Sequence, residues 1–407
     1  MSLGVAAPML LATLIMMSPP PPIKNAQWLL IVIPIGLLIA AGGYLFWKSP
    51  APDTPARSDP PPSSRPENLA SLGLPPDWSK LDRFQKTISR ETFLNRLETI
   101  YTKDDSWRKW ITIDEAKSQA VIGNYQLQFS PEDKPAPGSI FDWKTRADLP
   151  DDRALPLEGL MIALDPGHIG GNYAKIEERE HKLGDVIIRE GSMTLETARI
   201  LKPMLERLGA SVTLVRSSLE PLTKKQAEDF ADPKLFYRTS EIRARANFVN
   251  ESIKPDLVIC LHFNGSSSTI PAASQHFHII LNGTYTAGEL AHEDERFEML
   301  QRLLSGTITE EIPLAREIAT AFNQTTKLPP YQYPDSSPTS RNLANHPNLW
   351  ARNLLANRLY QCPVIFMEPY VMNSIPFITR FRKNPREIYH EYAQAVADGV
   401  ARYYSSQ

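Results

Sequence analysis

The sequence predicts an α/β protein, with a mostly parallel or mixed sheet flanked by helices. Three observations predict it. From residue 157 onward, short apolar runs alternate with helical stretches of about ten to eighteen residues, the spacing of strand–helix crossovers. Several of these runs end in a turn or a charged side chain, as strands do at the carboxyl edge of such a sheet. Hydrophobic residues at 42% and charged residues at 22% are globular proportions, sufficient for a sizeable core.

The elements follow in order. Strand "LMIAL" leads to helix "SMTLETARILKPMLERLG", which reads as N-capped by Ser192 and closed by Gly209. Strand "SVTLV", helix "LFYRTSEIRARANFVNES" and strands "DLVICL" and "HFHIIL" come next. Helices "HEDERFEMLQRLL" and "PLAREIATAFNQ" then lead to strand "VIFME" and a last helix over about 385–404. Together these make a main domain over 157–407.

What precedes it differs in kind, because 15 of the 36 prolines fall before residue 77. Residues 1–27 are apolar and proline-rich. Residues 28–47, "WLLIVIPIGLLIAAGGYLFW", carry no charge and are closed by aromatics at both ends. At about 1.5 Å per residue that length spans a bilayer core, so a single transmembrane helix is expected. Residues 48–68 read as an extended proline-rich linker. Residues 69–150 read as a small accessory region of unknown role, with a helix at "RETFLNRLETIYT" and strands at "WITIDEAKSQAVI" and "YQLQF".

The net charge of -2 provides no basic footprint, so nucleic acid is not an expected partner. The two cysteines, Cys260 and Cys362, have no CxxC spacing, which excludes a zinc ribbon or a disulfide scaffold. One disulfide or two buried thiols both fit them.

The strand ends carry the chemistry. "LMIAL" runs into Asp165-Pro-Gly-His168, "DLVICL" into His262-Phe-Asn264, and "VIFM" into Glu368; Glu190 stands just ahead of the first long helix. Two histidines and one glutamate match a catalytic zinc site, which uses three protein ligands. A further carboxylate that is not a ligand would move the protons. Each residue alone has a plainer reading: a solvated loop histidine at 168, a structural histidine at 262, a helix N-terminal charge at Glu190. Glu368 at the mouth of a buried strand lowers stability unless used or paired. His276 and His278 alternate along one strand and read as its polar or edge face, a pair of metal ligands being the alternative. His181, in a charged loop, is a candidate for a secondary substrate role.

The stretches "IALDPGHIGG", "EGSMTLETARILKPMLERLGASVTLVR", "RARANFVNESIKPDLVICLHFNGS" and "CPVIFMEPYVMNS" resemble, in order, four signatures of the zinc-dependent N-acetylmuramoyl-L-alanine amidases. Ile169, Cys260-Leu261 and Pro369-Tyr370 depart from the family's usual residues. The resemblance implies Zn2+ held by His168, Glu190 and His262, with Glu368 as the catalytic carboxylate and Asn373 as a further match. Asp165 is expected to orient His168, since ligand histidines donate their other N–H to such a partner, and Asn264 to touch substrate. The implied function is a membrane-anchored cell-wall hydrolase that cleaves the amide between N-acetylmuramic acid and L-alanine in peptidoglycan. The catalytic domain would then lie on the periplasmic, extracytoplasmic side, tethered to the cytoplasmic membrane by its single span. A zinc hydrolase of the same fold acting on another amide, or a non-catalytic wall-binding scaffold, are the alternatives, and a protein activator is left open. Around 286–306, Glu289, Glu293, Glu295 and Glu298 read as a solvated acidic face. Because some relatives block their zinc with a regulatory helix that supplies a glutamate, autoinhibition is the second reading of that segment.

Overall fold

The alternation from residue 157 onward folds around a seven-stranded mixed sheet. A computed structural model describes residues 75–133, 143–230, 232–233, 235–266 and 272–405. The first sheet is an antiparallel meander of β1 (Ile111–Asp114), β2 (Gln119–Ile122) and β3 (Tyr125–Gln128). Its second turn is the two-residue Gly123-Asn124 link, where Gly123 takes the positive φ that tight hairpins demand. A separate hairpin pairs β5 (Glu180–Leu183) with β6 (Val186–Arg189), and lies between β4 (Met161–Pro166) and β7 (Ser211–Leu214) in the chain. The large sheet adds β8 (Leu257–Leu261), β9 (Phe277–Leu281), β10 (Arg341–Asn342), β11 (Leu349–Ala351) and β12 (Val364–Pro369), in the order β10-β11-β9-β12-β8-β4-β7.

Two halves meet in this sheet. Strands β7, β4, β8 and β12 run parallel, so their carboxyl ends share one edge. Strand β9 runs antiparallel to β12, and β11 runs parallel to β9. This reversal pairs Glu368, near the end of β12, with His278, near the start of β9.

Helices Glu190–Arg207, Ile308–Thr326 and Pro385–Ser405 cover one face of the sheet and share its largest core. Gly399 allows two of them to approach closely, because a Cβ there would sit 2.3 Å from the Ile318 Cα. The other face packs on the helical run from Phe236 to Ile253 and on helix Leu355–Arg358. A third core joins the meander and its preceding helices to helix Glu293–Ser305, through Phe93, Leu97 and Trp107 against Phe297, Leu300 and Leu303. The backbones join there as well: Thr284 donates to the Ile100 carbonyl at 2.8 Å and Tyr285 to Tyr101 at 2.7 Å. The described residues belong to one compact unit.

Several expectations are corrected. Among the described residues no helix is long and apolar enough to cross a membrane. The long helices are striped, as Ile308–Thr326 is, burying Leu314, Ala315 and Ile318 while exposing Arg316 and Thr320. The described residues are therefore α/β with no spanning helix among them, and the span expected over 28–47 lies outside the described residues. Helix Glu190–Arg207 starts two residues before the expected Ser192 cap; the Ser192 hydroxyl instead accepts the Gly171 N–H at 3.3 Å. His278 is on an interior strand and not on an edge. Both cysteines are free and buried. The acidic segment is a solvated face only in part: Glu293 is exposed, but Glu295 and Glu298 pair with Arg358, and Glu289 accepts from Asn353 at 2.9 Å.

Candidate metal and catalytic centre

Strand β4 ends in Pro166, and Gly167 continues the pairing by donating to the Leu261 carbonyl at 2.9 Å. No side chain fits at position 167, because a Cβ would lie 2.3 Å from the His262 ring. His168 then takes a left-handed conformation, φ 59°, a placement that a non-glycine residue holds only when its surroundings enforce it. Arg245 enforces it. Its guanidinium donates to the Pro166 and His168 carbonyls at 2.7 Å each, and is itself held by Asp165 at 2.9 Å and Glu241 at 2.8 Å. Asp165 also accepts from the Tyr360 hydroxyl at 2.6 Å. The Tyr237 hydroxyl accepts the His168 N–H at 3.1 Å, and its ring stacks on the imidazole with centroids 4.8 Å apart.

His262 leaves the end of β8, its ring stacked on Phe366 with centroids 4.2 Å apart. Glu190 opens its helix beside Gly191, where a Cβ would strike the Ile169 carbonyl at 2.2 Å. Ile169, the residue that departs from the family signature, is fully buried against the helical face of the sheet. The result is a buried group of three: His168 Nε2 lies 3.3 Å from one Glu190 oxygen, and His262 Nδ1 lies 3.1 Å from the other. One ligand atom from each residue falls within 4.8 Å of the others. Burial alone would push Glu190 up, but the two imidazoles hold it down at about 2, as a carboxylate. Burial pushes His168 down, against the pull of Glu190 and Glu177, so the neutral imidazole is favoured.

The His168 tautomer is set by Glu177. The carboxylate faces His168 Nδ1 at 2.9 Å and also accepts the Ile169 N–H at 3.1 Å. Nδ1 therefore carries the proton, and the Nε2 lone pair points into the group of three. This corrects the role expected of Asp165, which does not contact the imidazole and acts on the turn through Arg245. Asp165 is close to the histidine in sequence, but it is Glu177 that the short helix Tyr173–Ile176 brings back to the ring. One glutamate among several in "KIEEREH" gives no sequence signal of its own.

Glu368 faces the same cleft, a cavity of ≈ 1490 Å³ that also reaches His168 and His262. Burial pushes its carboxyl up to about 7, against the His262 ring; Glu190 adds to the rise, and Arg179 and Arg352 oppose it. Such a group both takes up and releases a proton near neutrality. The cleft does not stay at the carboxyl edge. It runs across the face of the sheet past His276, His278 and Tyr333 to Arg352.

Asn264 lines this cleft and pairs with His276 Nε2 at 2.8 Å. Asn373 does not line it: its amide closes on Ser266, accepting the N–H at 2.8 Å and donating to the carbonyl at 2.7 Å. It fixes the loop after β8. His276 and His278 stand apart from the group of three, and among the described residues only His168, Glu190 and His262 form such a group. His181 is half-buried on β5.

Residues 162–402 match the family model described as N-acetylmuramoyl-L-alanine amidase. The chain belongs to the N-acetylmuramoyl-L-alanine amidase family. Among curated relatives of this amidase chain, a probable cell wall amidase LytH of Staphylococcus epidermidis is 36% identical over 84 residues, covering 20% of this chain and 27% of its own length. The germination-specific N-acetylmuramoyl-L-alanine amidase of Bacillus subtilis is 28% identical over 136 residues, 33% of this chain and 51% of its own. The chain thus spans about a quarter to a half of the curated relatives it matches. Among solved structures, the amidase Ami1 of Mycobacterium abscessus is similar over 60% of this chain and 99% of its own, at 20% identity and TM-score 0.39. The CwlD amidase of Clostridioides difficile, solved with the GerS lipoprotein, is similar over 61% and 99%, at 14% identity and TM-score 0.41.

Proposed function

We propose that this chain hydrolyses the amide joining the lactyl group of N-acetylmuramic acid to L-alanine in peptidoglycan, on the outer side of the cytoplasmic membrane where that polymer lies. The observation that carries the reading is the convergence of His168, Glu190 and His262 at a cleft that His168 and His262 line together with a raised-pKa Glu368, inside the region that matches the family model.

The donor set fits zinc. Two imidazoles and one carboxylate are the nitrogen and oxygen ligands of catalytic zinc sites, and the tautomer fixed by Glu177 leaves His168 Nε2 free to bind. Zinc held there supplies a Lewis acid that polarises the scissile carbonyl and acidifies water. The remaining steps belong to side chains. Glu368, ionised, accepts one proton from the attacking water as its oxygen bonds to the carbonyl carbon. The carbon–nitrogen bond breaks, and Glu368 passes that proton to the departing nitrogen of L-alanine. Glu177 and Arg245 keep His168 in place throughout.

The experiment is digestion of purified sacculi, with analysis of both product classes. Stem peptides with a free L-alanine amino terminus and glycan strands lacking peptide are expected, and both disappear with Glu368→Gln. Hydrolysis of a different amide would leave the peptides attached to sugar; binding without any release would mark a wall-binding scaffold.

A further inference from the structure

Beyond the proton-transfer end, the cleft carries a cation that nothing in the reaction above uses. Arg352 follows β11, and its backbone N–H donates to the Leu281 carbonyl of β9 at 2.9 Å. The side chain is half-buried in the wall of the cleft. Among the described residues no carboxylate lies within salt-bridge distance of it. Among the described residues the one hydrogen bond from its guanidinium goes to the Tyr333 hydroxyl, at 3.4 Å, and it lies 5.9 Å from the centre of that ring. Of the other arginines lining the cleft, Arg358 pairs with Glu295 and Glu298, Arg179 lies 3.6 Å from Glu190, and Arg238 is exposed to solvent. A half-buried guanidinium with no ion-paired carboxylate keeps its forked donors available to a bound anion.

The frame around it is rigid. Tyr333 packs edge-on against Trp350 and Tyr331, with centroids at 5.0 and 4.7 Å, and Trp350 Nε1 donates to the Tyr331 carbonyl at 3.2 Å. Arg352 can only donate to Tyr333, so the hydroxyl proton is directed to His278 Nε2, 3.2 Å away. His278 Nδ1 has no partner. Burial holds both His276 and His278 below the usual histidine value. At neutral pH the positive charge of this arm is therefore that of Arg352.

We propose that Arg352, with the Tyr331 and Tyr333 rings beside it, forms a carboxylate-binding subsite that takes a free acid on the peptide side of the scissile amide. The proposal rests on the amidase reading, and it names what that reading leaves open, the feature of the stem peptide that is recognised. Arg352 follows β11 and Glu368 belongs to β12, with β9 between them. Their backbones are two strand spacings apart across the sheet, about 10 Å, and about four residues apart along it, about 13 Å; the two side chains close part of that gap, since the charge of Arg352 acts on Glu368. At about 3.4 Å per residue of extended peptide, the acid thus lies beyond L-alanine, a few residues from the cleaved bond. A planar guanidinium matches a carboxylate with two parallel hydrogen bonds, which a carboxamide cannot reproduce.

The test uses two soluble muramoyl-peptides that differ in one group: the residue after L-alanine carries either a free α-carboxylate or its carboxamide. The full chain loaded with zinc is expected to show a KM about tenfold to a hundredfold lower for the acid. Arg352→Ala erases that preference with kcat within about threefold, and Arg352→Lys keeps part of it. Calorimetry with the released acid and amide peptides gives the same ranking without cleavage. Equal KM values for the two substrates in the wild type overturn the subsite, and so does an Arg352→Ala loss that is equal on both. The wild-type comparison needs no variant, so a variant that fails to fold leaves the test intact. If neither substrate is cleaved while the acid peptide still binds more tightly than the amide, the amidase reading fails and the subsite stands. Cleavage of both with no preference is the reverse case.

Discussion

The two halves of the cleft are built on opposite plans. In the parallel half, strands β4, β8 and β12 deliver His168, His262 and Glu368 at or just beyond their carboxyl ends. In the antiparallel half, β9 enters from that same edge, so His278 projects from within the strand and Arg352 follows the far end of β11. The first plan converges charged groups on a point, which suits a metal ligand set. The second lays polar side chains along a wall, which suits holding an extended chain. Chemistry is thereby separated from recognition, and each half fails in its own way when altered.

The largest expected effect is in the parallel half. Glu368→Gln lowers kcat by roughly 10²- to 10⁴-fold, the range of a lost acid–base group, and leaves bound zinc unchanged when metal is counted on the purified protein. Loss of zinc in this variant would move Glu368 from proton transfer to ligation. Next comes the support of the ligands. Glu177→Gln is expected to weaken zinc affinity about ten- to a hundredfold in a competitive chelator titration, because the carboxylate that fixes the His168 tautomer is gone. Equal affinity would show that the surrounding loop alone sets the ring.

The antiparallel half responds through stability. Burial lowers His278 from 6.5 to about 3, so the folded state keeps it neutral while the unfolded chain takes up a proton below about pH 6.5. Its contribution is fully present above that value and is lost as pH falls toward 3. At pH 5 the loss is ~2 kcal/mol, at about 1.36 kcal/mol per unit. Denaturant unfolding of the wild type and of His278→Phe at pH 7 and pH 5 measures it; the variant should lose less on acidification.

The smallest effect links the halves. Glu368 must be ionised to accept a proton; in the metal-free protein its carboxyl, followed by NMR, should titrate with a midpoint displaced from the ordinary 4.5 toward about 7, and the charge of bound zinc should lower that midpoint. The positive charge of Arg352 opposes that rise. Arg352→Gln should therefore move that midpoint upward, and an unmoved midpoint would show the two groups to be electrostatically separate.

The same contrast explains what the sequence disclosed. The parallel half is legible because apolar runs mark its strands and the first residues beyond them are the functional ones. Asp165-Pro-Gly-His168 is readable as a turn that presents an imidazole, and so are His262 and Glu368. The supports are not legible. Glu177 reaches His168 only because a single helical turn doubles the chain back, and Asp165 looks like the partner until Arg245 is seen between it and the loop. Asn373 shares a signature with Glu368, yet its amide spans the backbone of Ser266 and never enters the cleft. In the antiparallel half the alternation of His276 and His278 is visible, but strand order and direction are not, so a strand inside the sheet reads as a polar or edge face. Arg352 gives no signal at all, since its meaning lies in the absence of a neighbouring carboxylate. The accessory region was legible as helix and strands, while its shared core with helix Glu293–Ser305 depends on contacts nearly two hundred residues apart.

The central claim is that one zinc ion held by His168, Glu190 and His262 and one proton-transferring glutamate cut sugar from peptide. Metal stoichiometry of the purified full chain, followed by sacculus digestion before and after chelation, tests it most directly. The account predicts one zinc per chain, release of peptides beginning with L-alanine, and loss of release on chelation with recovery on adding zinc back. Undiminished release from the metal-free protein, or soluble fragments in which peptide remains joined to muramic acid, would contradict it.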